Sequence, residues 1–304
     1  MADSTDIKAE TPEEVQEKPK QTVGQRITTI VVALVLLVGV GLLAYPTVSD
    51  WWNSFHQSRA ISSYIETVNE LSPEEYARIW NDAVEYNESL LNHIQTFSLT
   101  PEERADYESQ LNIEGNGIMG YIEVPIINVK LPVYHGLEES VLQIAIGHME
   151  DTSLPVGGES THCVVSGHRG LPSATLFTNL DKVQEGDLFM FHTLNETLTY
   201  EVDQIRIVEP TDTKDIQIVP GEDLATMVTC TPYGINSHRM LVRGHRVPNV
   251  NADNMPAEAE QINPIVVAAT VGIPIMFVIL VVALVITRKR PQVDLSEKPS
   301  EDSK

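Results

Sequence analysis

The chain has 304 residues, enough for one or two domains, and carries a formal net charge of -23 with a pI near 4.6. Nonspecific nucleic-acid binding needs a basic footprint to neutralise phosphates, so this balance argues against nucleic acid as a partner. The acidity is spread along the chain and serves solubility.

Residues 1–26 are rich in Glu, Lys and Pro and have little to bury, so they read as a tail. Residues 27–45, "ITTIVVALVLLVGVGLLAY", carry no charge and are long enough to cross about 30 Å of hydrocarbon. A cleaved signal peptide is the rival reading. The run is longer than the usual apolar core of such a peptide, and "AYPTVSD" offers no A-x-A site, which favours an uncleaved anchor.

Residues 46–112 read as helical. Ser72-Pro73-Glu74-Glu75 and Thr100-Pro101-Glu102-Glu103 are helix starts, each with a capping hydroxyl, proline at the first position and acid in the first turn. Tyr76, Ile79, Trp80 and Ala83 recur at helical spacing and must pack on something.

"EGNG" at 114–117 breaks that pattern, and 113–250 reads as short strands divided by turns. Candidate strands are 118–124, 126–134, 162–168, 187–192, 197–208, 224–230 and 239–247. Short helices are expected at 138–146 and 173–181. So many strands in so short a segment suggest a closed barrel or a sandwich.

Residues 251–264 form a linker. Residues 265–286, "IVVAATVGIPIMFVILVVALVI", are a second uncharged run of membrane-spanning length, and 287–304 are a second tail. Lys18, Lys20 and Arg26 precede the first run, and Arg288, Lys289 and Arg290 follow the second. Basic flanks mark the cytoplasmic side, so the expected topology has two transmembrane helices, both termini inside and the strand-rich segment outside the cell membrane.

Three features of that segment suggest chemistry. In "HCVVSGHRG", His168 follows the end of a strand between small neighbours. In "LATMVTC", alternation puts Leu224, Thr226, Val228 and Cys230 on one face, with Cys230 at the strand end. In "SHRMLVRGHR", Arg239 opens the strand that returns beside Cys230, and Arg243 shares its face. Thiolate, imidazolium and guanidinium together suit acyl transfer: attack on a carbonyl, protonation of a leaving amine, and stabilisation of an oxyanion. Periodicity does not choose between Arg239 and Arg243, and no carboxylate is obviously placed to orient the histidine. A free cysteine is often a buried small hydrophobe, which suits Cys163. A structural Cys163–Cys230 disulfide in a non-enzymatic, membrane-tethered binding barrel is the distant alternative. The histidine spacing matches no common metal site.

"VTCTPYGINSHRMLVRGHR" resembles the T-L-x-T-C…R signature of the sortases, membrane-bound cysteine transpeptidases of Gram-positive bacteria. "GIMGYIEVPIINVKLPVYHG", "LPVGGESTHCVVSGHRGLPSATLF" and "NSHRMLVRGHR" look like class C, the pilus-assembling sortases, and so does the second apolar run. The resemblance implies an eight-stranded β-barrel with Cys230 as nucleophile, His168 as acid and base, and Arg239 rather than Arg243 as the catalytic arginine. It implies a thiolate–imidazolium pair present in a minority of molecules and no metal or organic cofactor. The implied partners are pilin subunits with an LPXTG-like sorting signal and a reactive lysine. The alternative acceptor is a peptidoglycan amine, in a sortase that anchors proteins to the cell wall. Class C sortases usually carry a lid with an Asp-Pro-aromatic motif. This chain has no Asp-Pro; Thr100-Pro101-Glu102 stands in the matching region, where Phe97 or Tyr107 could act as an aromatic plug.

Overall fold

The computed structural model describes residues 22–92, 95–249, 271–272, 274–279 and 281–282. The chain divides into two compact units, Met1–Leu43 with Ala268–Lys304, and Ala44–Val267. Among the described residues one helix is long and apolar enough to cross a membrane. It belongs to α1, Val23–Glu70, which contains Pro46. The expected second span, 265–286, lies largely outside the described residues; those described within it are helical. In the first unit, Val281 and Val282 line the same apolar cleft as Val32 and Leu36.

In the second unit, α2 (Pro73–Ser89) and α3 (Pro101–Ser109) begin where their caps require. The Ser72 and Thr100 side chains accept from the backbone of Glu75 and Glu103, and each glutamate reaches back to its cap. Two short elements follow the first strands: α4 is Glu139–Leu142, and β3 is Ile146–His148. The remaining strands are β1 (Ile118–Val124), β2 (Val129–His135), β4 (Thr161–Ser166), β5 (Leu188–Thr193), β6 (Glu196–Val208), β7 (Asp223–Thr231) and β8 (His238–Val247). They close into a barrel in the order β1-β2-β3-β4-β7-β8-β6-β5. The β2–β3 and β4–β7 pairs are parallel and the others antiparallel.

The eight-stranded β-barrel with short helices is therefore present, with local corrections. Residues 125–127 form a 3-10 turn, so β2 starts at Val129. The expected helix at 138–146 shrinks to α4 and gives way to β3, a strand too short to show alternation. No α-helix forms at 173–181. Ala174, Leu176, Phe177 and Leu180 are all buried, but Leu176 takes a φ of 39°, which a right-handed helix cannot accommodate. Their spacing reflects a chain that wraps the barrel.

Phe189, Phe191 and Tyr200 fill the barrel interior with Met119, Ile122 and Met227. Each fully buried side chain of this size contributes roughly 1.5–3 kcal/mol. The C-terminal half of α1 packs outside, where the Tyr64 hydroxyl donates to Met119 O at 3.1 Å and accepts from Leu194 N at 2.8 Å.

Candidate active site

Three strands build one rim. In the parallel β4–β7 pair, Thr161 faces Asp223 and each step keeps that offset through Ser166 and Val228. The pairing continues past the end of β4. Gly167 N donates to Val228 O at 3.1 Å, the Thr229 hydroxyl donates to Gly167 O at 2.8 Å, and Arg169 Nη1 donates to the Thr231 hydroxyl at 3.4 Å. The same offset sets His168 beside Cys230. On the other edge of β7, Cys230 pairs directly with Arg239 of β8. His168, Cys230 and Arg239 thus occupy adjacent positions at one end of three neighbouring strands.

The two cysteines have different surroundings. Cys163 lies inside the barrel with Val165, Ala225 and Met227, and burial pushes its thiol well above the ordinary range. Cys230 is half-buried, and both thiols are free. Cys163 pairs with Ala225, five residues before Cys230. At about 3.3 Å per residue that separation is far beyond the ~7 Å Cα limit of a disulfide, which overturns the disulfide alternative.

Arg239 and Arg243 also differ. Arg243 is held in a two-pronged pair with Asp203, Nε and Nη2 donating at 3.0 and 2.9 Å. It faces Thr226, four residues away from Cys230 along β7. Among the described residues Arg239 donates to two carbonyls, Asn236 O in the preceding loop and His238 O at the start of β8, at 3.3 and 3.1 Å.

Two supporting residues escaped the sequence reading. Glu139, in the first turn of α4, brings Oε2 within 3.5 Å of His168 Nε2, ion-pair reach without hydrogen-bond geometry. The nearly buried Arg169 side chain pairs with Asp181 at 2.6 Å and lies 5.9 Å from the Tyr233 ring, bracing the loop after Cys230. The glycines around His168 are sites of close packing. A Cβ on Gly167 would meet Ile146 and Phe177, and one on Gly170 would meet Tyr233. They allow close packing beneath and beside the histidine and do not open a cleft around it.

An apolar patch runs from the rim along the outside of the barrel. Val164, Ile216, Val228 and Leu241 form its buried base, with Phe97, Met149 and Val208 packed against it. Val228 shares the β7 face of Cys230 by alternation. Of the two aromatic residues considered as a plug, Tyr107 is wholly buried and donates to His148 O at 3.1 Å, a core position. Phe97 is the one on the cysteine's side. Its segment is pinned to Asp151 Oδ2, which accepts from Thr96 N at 2.6 Å and Phe97 N at 2.9 Å. Among the described residues no three His, Cys, Asp or Glu side chains converge to hold a metal ion.

Residues 122–247 match the sortase domain family. The fold is similar to that of sortase C1 from Streptococcus agalactiae, with 55% identity, a TM-score of 0.62, and coverage of 63% of this chain and 100% of that one. Sortase C of Streptococcus pneumoniae, solved in a study of catalysis and pilin substrate specificity, is 43% identical with a TM-score of 0.56, covering 64% of this chain and 98% of that one. Sortase C of Clostridium perfringens, solved with the C-terminal cell wall sorting motif, is 41% identical with a TM-score of 0.56, covering 63% and 100%.

Proposed function

We propose that this chain, which belongs to the sortase family of cysteine transpeptidases, joins pilin subunits covalently at the cell surface. The observation that carries the residue roles is the strand register that gathers His168, Cys230 and Arg239 on one rim. The class C neighbours support the pilus-type substrate.

In this reading the Cys230 thiolate attacks the threonine carbonyl carbon of an LPXTG-like sorting signal. The Arg239 guanidinium faces the oxyanion of the tetrahedral intermediate. Collapse breaks the Thr–Gly C–N bond, and the His168 imidazolium gives its proton to the departing glycine amine, leaving a thioester on Sγ. A pilin lysine ε-amine then attacks the thioester carbonyl and loses a proton to His168. The C–S bond breaks, an isopeptide bond remains, and the thiolate is restored. The membrane anchor keeps the enzyme where such substrates emerge.

The test is adduct formation. Incubated with an LPXTG-type peptide, the chain is expected to form a thioester detectable by mass, and Cys230→Ala to form none. An adduct on Cys230→Ala would sink the assignment. The identity of the amine that releases the thioester, pilin lysine or peptidoglycan peptide, separates pilus assembly from cell-wall anchoring.

A further inference from the structure

The half of α1 beyond its apolar run has two opposed faces. Asp50, Asn53, Gln57, Ile61, Tyr64 and Val68 recur every three or four residues and form the docked face. Asp50 Oδ1 accepts from Thr175 N and its hydroxyl at 2.6 and 2.8 Å, Asn53 donates to Ser173 O at 2.7 Å, and Gln57 donates to Ile144 O at 2.6 Å.

A docked helix of this kind should be polar on its outer side. Here, at about 100° per residue, the outer side carries Tyr45, Val48, Trp52 and Phe55. Tyr45 is 56% exposed, Trp52 57% and Phe55 49%. Trp51 flanks the stripe and stacks on Phe55 with centroids 6.5 Å apart. The character then changes along the helix. The Arg59 guanidinium lies 5.4 Å from the Phe55 ring, and Ser62, Ser63 and Glu66 follow on the outer side.

We infer that this outer face, from Tyr45 to Arg59, sits in the headgroup layer of the lipid bilayer. It continues directly from the uncharged run that precedes it. Tryptophan and tyrosine favour the membrane–water boundary because one edge is apolar and the other polar. Arg59 stands at the end of the stripe, where its stem can lie along the apolar face while its head meets lipid phosphate. On the outer side acid appears only after it, at Glu66, where water is needed.

The length of the stripe adds a condition. Tyr45 to Phe55 rises about 15 Å along the axis, whereas the headgroup layer is only about 6 Å deep. The segment therefore lies inclined to the membrane normal, and Pro46 provides the break in the backbone ladder that permits a bend. The docked side of the same segment holds residues 173–175, shortly after His168. Seating the helix in lipid thus fixes the height of that loop above the bilayer.

The chain has three tryptophans, Trp51, Trp52 and Trp80, and Trp80 packs on the barrel core. The full chain is reconstituted in phosphatidylcholine–phosphatidylglycerol vesicles, with and without lipid brominated near the headgroup end of its acyl chains. The wild type and Trp80→Phe are expected to lose most of their emission to bromine, and the Trp51→Phe/Trp52→Phe double variant to lose little. Equal quenching of the double variant, or none of the wild type, overturns the proposal. Emission that ignores bromine but changes with the protein-to-lipid ratio assigns the face to a second copy and also overturns it.

Discussion

The rim at the end of β4, β7 and β8 and the segment 95–100 beside it are ordered by different means. The rim is a continuous backbone ladder, with Cys230 fixed to Arg239 on one side and the His168 strand on the other. Such a ladder opens only with the barrel. The neighbouring segment is held by a few bonds: Thr96 and Phe97 to Asp151, and Gln95 between Asp151 O and Ile218 N. Its large apolar contacts are Phe97, on the outer patch, and Leu99, on the barrel core. The chemistry is therefore built on a continuous strand ladder, and it is bordered by a segment held by side-chain bonds and two apolar contacts.

The largest effect expected from this contrast concerns the two arginines. Arg239→Ala should lower transpeptidation by about 10²–10³-fold, the usual loss when an oxyanion donor is removed, with the fold retained. Arg243→Ala breaks the Asp203 pair on the flank of β8 and should leave the rate within a few-fold while costing ~1 kcal/mol of stability. Steady-state rates and melting curves of the two variants check this. A reversed pattern would move the catalytic cation four residues along β8.

Much of the rim could be read from the sequence, for a reason its connectivity explains. Cys230 and Arg239 belong to one hairpin, so their proximity follows from a short loop and a returning strand. His168 reaches Cys230 through a parallel pairing of residues distant in sequence, which no local spacing encodes; its place at a strand end made it a candidate, and the family resemblance assigned its role. Long strands such as β6 and β7 show in their alternation, and α2 and α3 in their capping boxes. What stayed hidden has no period. β3 has three residues, Glu139 lies in a helix of one turn, and residues 171–182 bury apolar side chains from an irregular backbone. Asp151, which organises the neighbouring segment, is one acid among many.

Acid should sharpen the contrast next. His162 ties β4 to the 209–222 connection, its Nδ1 2.8 Å from Gln217 O and its Nε2 2.7 Å from the Thr226 hydroxyl. His148 ties β3 to α3 through the Tyr107 hydroxyl, 2.9 Å from Nδ1. Burial lowers His162 to about 4 and His148 to about 3. The unfolded chain, with ordinary histidines near 6.5, takes up protons first. The stabilisation is thus full above pH 6.5 and is lost as pH falls from there towards about 4 and then 3. At about 1.4 kcal/mol per pKa unit, the cost across each window is on the order of 3–5 kcal/mol, larger for His148 than for His162. The melting temperature at pH 5 should lie below that at pH 7, and His162→Asn should flatten the dependence. An unchanged slope in that variant would show that His162 does not contribute.

The smallest effect, and the most direct probe of the border, is at Phe97. Deleting the whole pre-barrel segment is a poor test, because it removes Tyr107, a fully buried member of the core. Phe97→Ala removes only the ring that packs on the outer patch near Val228. Because Phe97 is half-buried, the loss in stability should be ~1 kcal/mol, below that of a core aromatic. If the ring shields the rim, alkylation of Cys230 should become a few-fold faster in Phe97→Ala, while Cys163, enclosed in the barrel, stays unlabelled in both proteins. Phe97→Gly separates shielding from backbone strain. It loses the same ring, but it relieves a φ of 56° that glycine adopts freely. Labelling should rise equally in the two variants, with Phe97→Gly the more stable of the pair. If alkylation instead runs at the wild-type rate in both, Phe97 is a wall of the apolar patch and the Cys230 thiol is open to solvent without it.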